Sequence, residues 1–237
     1  MRKKNRFIMI DGLTGSGKST VINTMREWIT SRERRVFNLK DWNGQAPPMF
    51  NEINDFDVYF THEPTRHWVG AAIRAELSRV DAPYGGEEIA HAFALDREIM
   101  YKRLILPALE DGKTVIQDRG VTSSIVYQPV MKNGLTLEQI LALPGNALAL
   151  KHAPDYLILT RLPAQVAYER IKIRAEESKG VFADLEFLKQ QEERYASQWF
   201  RELFEKNGTS VLALDTSLTL EEVKQNAKQI IGEILHI

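Results

Sequence analysis

Short apolar runs alternate along this chain with longer stretches in which apolar residues recur every three or four positions. Phe7 to Ile10, Val58 to Phe60, Thr114 to Gln117, Tyr156 to Leu159 and Val211 to Leu214 read as five buried strands. Ile22, Met25 and Ile29 mark a helix after the first of them. Another helix is expected over 68–77, and 87–110 is the longest helical segment, with Gly112 as its stop and Pro107 at a kink or loose last turn. Thr136 with Gln139 and Thr219 with Glu222 are capping boxes that open two later helices. Pro163 opens a helix carrying Arg170 and Arg174 on one face. A helix from about Asp184 to Gly208 shows Leu188, Tyr195, Trp199 and Leu203 on one side, and the last helix turns Val223, Ala227, Ile230 and Ile234 inward.

Val36-Phe37 is a candidate for a short extra strand outside that count. Residues 38–55 are the least regular part, with Asn43-Gly44 and Pro47-Pro48 breaking any period, yet Trp42, Met49, Phe50 and Ile53 give them something to bury. An ordered surface excursion is favoured there over a flap covering substrate. Strands alternating with helices throughout predict an α/β fold, a five-stranded parallel sheet with helices on both faces. No repeat, linker or low-complexity tract divides the chain, so residues 1–237 are expected to form one domain.

Composition narrows the partners. With 31 Lys and Arg against 32 Asp and Glu, the net charge of -1 offers no global field for nucleic acid or an anionic membrane. The absence of cysteine excludes disulfides, thiol nucleophiles and thiolate metal sites. Arg2-Lys3-Lys4 precedes an apolar run too short for a signal core, and no stretch is long enough to span a bilayer, so the chain reads as soluble and cytoplasmic.

The stretch that organises the rest is Phe7 to Thr20. Gly12 and Gly17-Lys18-Ser19 match G-x-x-x-x-G-K-S/T between a strand and a helix, the context that makes the pattern a phosphate-binding loop. Glycines let backbone N–H groups converge, and the helix start adds unpaired donors and partial positive charge. Gly12, Leu13, Thr14, Gly15, Ser16, Gly17, Lys18, Ser19 and Thr20 are the expected ATP-binding residues, with Lys18 reaching the β- and γ-phosphates and the Ser19 hydroxyl suited to Mg²⁺. Further polar residues fall at strand ends, where open parallel sheets bind ligands: Thr61-His62-Glu63-Pro64 and Asp118-Arg119.

At these residues the sequence resembles the thymidylate kinases, and the resemblance covers nearly the whole chain. It is carried by the phosphate loop, by Glu63-Pro64-Thr65 followed by Val69-Gly70 and Ile73-Arg74, by Phe93 to Arg97, and by Asp118 to Gln128. The last is similar to the family's D-R-Y-x-x-S-S-x-A-Y-Q. The resemblance implies a P-loop kinase that moves the γ-phosphoryl group of ATP to dTMP, with Mg²⁺ as cofactor. It implies that Phe93 stacks on the thymine ring, that Arg97 donates to a pyrimidine carbonyl, and that Ser124 helps recognise the base. Tyr127 would lie beside the sugar, Arg119 would clamp the acceptor phosphate, and Asp118 would order Arg119 and the hydrated Mg²⁺. Glu63 belongs to the expected substrate site, while Arg74 is read either as a phosphate contact or as a solvated helix residue.

Some family members keep an arginine for the transferring group inside the phosphate loop, where this chain has Gly15. The resemblance then points to cations in a mobile lid at about 172–184: Arg170, Arg174 and Lys179. Other departures are Thr14 for a carboxylate that contacts the sugar 3′-hydroxyl, Gly120 for a tyrosine, His62 for an arginine, Lys179 for a lid arginine, and Thr160 for an aspartate. The rival readings are a kinase for another pyrimidine nucleotide or a deoxynucleoside, and a non-catalytic nucleotide-binding module. The long 87–110 helix could supply the face of a homodimer, as it does in the family.

Overall fold

Strand β1 (Phe7–Gly12) is buried along its whole length, and its side chains divide between two cores. Phe7 and Met9 face one side of the sheet with Tyr59, Val115 and Leu157; Ile8 and Ile10 face the other with Phe60, Ile116 and Ile158. A strand packed on both faces must be a continuous apolar run rather than an alternating one, which is how these strands read. The computed structural model describes residues 6–79, 82–178 and 184–237, with 174–178 by backbone alone.

The sheet has six parallel strands, not five, in the order β2-β3-β4-β1-β5-β6. The extra one is β2 (Val36–Asn38), an edge strand in register with β3 (Val58–His62), Val36 opposite Val58. It is the candidate at Val36-Phe37, too short for periodicity to place in the sheet: only Phe37 is buried, and its neighbours are half-exposed. β4 (Thr114–Asp118), β5 (Tyr156–Arg161) and β6 (Ser210–Asp215) complete the sheet. All strands being parallel, their carboxyl ends share one edge, and the connecting helices must cover the faces.

Helix α1 (Lys18–Thr30) lays Val21, Ile22, Met25 and Ile29 on one face, against α11 (Leu220–Leu235). In α11 the buried positions are Val223, Ala227, Ile231 and Ile234, so the inward residue is Ile231 and Ile230 lies at its margin. Both predicted capping boxes form: Thr136 and Gln139 open α6 (Leu137–Ala142), and Thr219 and Glu222 open α11.

On the opposite face, α2 (Trp68–Ala72) continues into a π-helical turn, Ile73–Leu77. α3 (Gly86–Met100) runs through a second π turn, Tyr101–Ile105, into α4 (Leu106–Glu110). A proline inside a helix lacks the N–H and presses on the carbonyl one turn back; the widened turn just before Pro107 makes room for it. α5 (Val121–Tyr127) and α7 (Pro144–Lys151) pack against α3, and α8 (Ala164–Ser178) follows β5. The expected single helix from Asp184 is two: α9 (Leu185–Ala196) and α10 (Gln198–Glu205), broken at the extended Ser197. The break rotates the stripe, so Phe200 and Phe204 are buried while Trp199 is exposed and Leu203 only half-buried. Among the described residues no helix is long and apolar enough to cross a membrane.

Candidate active site

Four strand ends and the start of α1 bring the polar residues together. After β1 the chain turns through 13–17 into α1, and the Lys18 side chain folds back over that turn, its ammonium donating to the carbonyls of Gly12 at 2.8 Å and Leu13 at 2.6 Å. Lys18 is buried, Ser19 beside it is exposed, and Thr20 is half-buried. Ser16 is tied to β5 by a 2.6 Å hydrogen bond with the Thr160 hydroxyl, which also donates to the Asp11 carbonyl. Threonine at 160 thus pins the phosphate loop to the sheet without adding charge.

Asp11, wholly buried near the end of β1, is not among the site residues expected from the sequence. Its carboxylate accepts from the Gly12 N–H, the Thr122 hydroxyl at 2.6 Å and the Ser123 hydroxyl at 2.8 Å, and lies 3.6 Å from Arg119. It therefore fixes the start of α5 against the phosphate loop. The signal for it was available, since a carboxylate ending a buried strand needs partners.

Arg119 follows β4 in a left-handed conformation, φ 66°. Non-glycine residues hold that conformation where surrounding contacts over-determine it, often at functional sites. Here Arg119 reaches Ser123 at 3.2 Å, Thr14 at 3.4 Å and Tyr127 at 3.5 Å, with its guanidinium over the Tyr127 ring. Thr14, Tyr127 and Arg119 thereby form one contact group across the mouth of the loop.

Two cavities meet at Arg119 and Pro64. The first, about 350 Å³, is mostly apolar and is lined by Thr14, Ile89, Phe93, Ser124, Tyr127 and Phe187 among others. The second, about 330 Å³, is polar, and its walls are Lys40, His62, Glu63, Arg66, Arg74 and Asp118 besides the shared pair. Arg74 bonds the carbonyls of Pro64 and Thr65, which anchors it at the rim rather than leaving it a solvated helix residue. Asp118 is held at 3.0 Å by Lys40, a residue that the sequence reading left in the irregular 38–55 stretch.

Arg97 does not line the apolar cavity. It is fully buried, with one terminal nitrogen on Glu63 at 2.6 Å and on Ser124 at 3.0 Å, and the other on Asn146. Burial pushes the Glu63 carboxyl up, and the Arg97 charge beside it pulls back the other way. The imidazole of His62 has no hydrogen-bond partner on either nitrogen; burial, then the charges of Arg74, Lys40 and Arg66, push its pKa down to about 3.

On the other flank, Arg170 of α8 donates to the Thr216 carbonyl at 3.2 Å, close to Gly17. The Arg174 side chain and Lys179 lie outside the described residues, as do 179–183 of the expected lid.

The sequence as a whole has relatives among known proteins. The family model described as thymidylate kinase matches residues 49–227. The chain belongs to the thymidylate kinase family. It is 30% identical over 238 residues to a thymidylate kinase of Trichodesmium erythraeum, covering 97% of this chain and 96% of the relative. A thymidylate kinase of Caldicellulosiruptor saccharolyticus is 28% identical over 234 residues, 98% of each chain. A probable thymidylate kinase of Pyrococcus abyssi is 34% identical over 178 residues, 73% of each.

Two departures from the family pattern have visible packing reasons. Gly15 has φ +85°, and a Cβ there would stand 2.8 Å from the Ala167 carbonyl and 3.0 Å from Ile171, so α8 lies where a loop arginine would begin. Gly120 abuts the end of the Met9 side chain: a Cβ would come within 2.8 Å of its sulfur, leaving no room for a tyrosine while Met9 stays put.

Proposed function

We infer that this chain transfers the γ-phosphoryl group of ATP to the 5′-phosphate of dTMP, giving dTDP and ADP. The observation that carries the reading is Arg119, which stands between an apolar cavity fit for a base and a cationic one fit for a phosphate. Phe93, half-buried on the wall of the first, offers a flat face for the pyrimidine; Ser124 offers a hydroxyl for its edge. Tyr127, held by Thr14 and Arg119, stands where a sugar would pass between the two cavities. Arg97 acts in this reading through Ser124 and Glu63, by fixing the wall.

The acceptor phosphate is itself the nucleophile and is largely ionised at neutral pH, so the protein's task is positioning and charge stabilisation. Lys18, released from the loop carbonyls, binds the β- and γ-phosphate oxygens. Arg119 clamps the acceptor phosphate in line with them. Arg170, Arg174 and Lys179 are the cations proposed for the transferring group, since the phosphate loop carries none besides Lys18. The hard oxygen donors Ser19 and Asp118 fit magnesium, which keeps several waters and relies on substrate phosphates instead of a full protein cage. When bound, magnesium neutralises charge on the β- and γ-oxygens. A soluble cytoplasmic enzyme that pairs through α3 completes the reading; Leu95 on that helix is 48% exposed.

The test is to follow γ-labelled ATP with dTMP. Label recovered in the β-phosphate of dTDP supports transfer; label released only as inorganic phosphate, or retained in ATP, overturns it.

A further inference from the structure

The polar cavity holds an imbalance of charge that the fold neutralises only in part. Lys40, Arg66, Arg74 and Arg119 are four cations on its wall, and the carboxylates there are Asp118 and Glu63. Glu63 is already engaged by Arg97 and Gln117, at 2.6 and 2.7 Å. Arg119 already has Asp11 at 3.6 Å behind it, so Asp118 is the carboxylate that the wall leaves for Lys40, Arg66 and Arg74, and His62, nearly wholly buried beside them, stays neutral and unpartnered. Like charges gathered around one cavity repel each other, which an arriving dianion would relieve.

Lys40 is the member that residues 36–41 add to this cavity, and its backbone is pinned from three sides. Leu39 before it is entirely buried in the core. The Asn38 side chain accepts from the Lys40 N–H at 3.3 Å and donates to Asp41 at 2.8 Å. Arg66 donates to the Lys40 carbonyl at 3.3 Å. The Lys40 side chain itself is 37% exposed, with its ammonium resting on Asp118. An ion pair at that exposure adds little to stability and gives no reason for so firmly held a turn. A lysine ammonium is a point charge on a rotatable stem, so it can move from a carboxylate to a phosphate oxygen over a short distance. Lys40 also lies before the 49–227 span that the family model matches.

We propose that Lys40 binds the acceptor phosphate, sharing its oxygens with Arg119 across the polar cavity. The inference rests on the monophosphate reading of the acceptor given above. Asp118 holds the ammonium in place at 3.0 Å; with nucleotide bound, Lys40 turns to the phosphate, which leaves the Asp118 carboxylate open to other partners.

Calorimetric titration without ATP separates this role from a structural one. Lys40→Met keeps the stem and removes the charge, while Lys40→Arg keeps a charge. The expected result is that Lys40→Met weakens dTMP binding about tenfold or more, the loss of one charge-assisted hydrogen bond. Thymidine binding should stay within about twofold, and Lys40→Arg should recover part of the dTMP affinity. Unchanged dTMP binding, or an equal loss for dTMP and thymidine, overturns the proposal. So does a variant whose only change is in the magnesium dependence of turnover, which would make Lys40 a support for Asp118 alone. Should the wild-type protein bind no dTMP, it is the functional reading that fails. Inorganic phosphate then decides about Lys40: stabilisation of the wild type that Lys40→Met abolishes supports the phosphate role, and equal stabilisation of both contradicts it.

Discussion

The guanidinium of Arg97 and the carboxylate of Glu63 lie 2.6 Å apart with both side chains out of contact with solvent. Both are expected from the sequence to touch substrate, and in the structure both are bound to the protein: Glu63 to Gln117 and Arg97, and the terminal nitrogens of Arg97 also to Ser124 and Asn146. Removing one partner of a buried pair leaves an unpaired charge, which costs about 3–5 kcal/mol. Arg97→Met should therefore lower thermal stability strongly, and adding Glu63→Gln should recover part of the loss. A single variant as stable as wild type would show that the pair is not the brace described here.

Lys18 tests the opposite case. Its bonds to two loop carbonyls are weak substitutes for a triphosphate, so Lys18→Met should cut turnover about 10²-fold or more. Its melting temperature should change little beside that of Arg97→Met. Loss of folding together with activity would make Lys18 structural.

Sequence patterning resolved the long, regular parts and lost the short, irregular ones. Four strands were legible because they are buried on both faces and therefore mostly apolar, and β6, at the other edge, because its stretch from Val211 to Leu214 is apolar although partly exposed. β2 was legible only as a candidate at Val36-Phe37, because an edge strand of three residues, half-exposed at both ends, carries almost no pattern. Leaving it outside the sheet hid Lys40, since the end of a strand that is not counted is not searched for ligands. The phosphate loop and Arg119 were legible from spacing and position, whereas Asn146 and Gln117 were not, because nothing local marks a buried amide as the partner of a distant arginine. Trp199 was misplaced because a single extended residue, Ser197, resets the helical phase.

His62 predicts a pH effect on stability. In the folded protein its pKa is pushed down from 6.5 to about 3, first by burial and then by Arg74, Lys40, Arg66 and His67. The unfolded chain takes up the proton at higher pH than the native one, so acid favours unfolding between those two values. Going from pH 6.5 to 5 should remove about 2 kcal/mol through this group. Urea unfolding across that range should show a shallower loss for His62→Gln than for wild type. Parallel curves would mean that His62 titrates normally.

In the proposed function, Thr14 stands where the sugar is read. Its hydroxyl, 3.4 Å from both Arg119 and Tyr127, can offer the 3′-hydroxyl only a neutral hydrogen bond, roughly 1 kcal/mol weaker than a carboxylate would. Thr14→Asp, beside the Arg119 guanidinium, should widen the kcat/KM preference for dTMP over 3′-deoxy-dTMP by about fivefold to tenfold. A wild type that already rejects the analogue by about 10⁴-fold would place the discrimination elsewhere.

The central claim is that the cavity at Arg119 takes a nucleotide already carrying a phosphate, and that this phosphate is the nucleophile. The kcat/KM for dTMP against thymidine, with magnesium and saturating ATP, measures it directly. A site built to bind that phosphate rejects the acceptor lacking it by about 10⁴-fold or more. Thymidine phosphorylated as well as dTMP, to give dTMP as product, would contradict it.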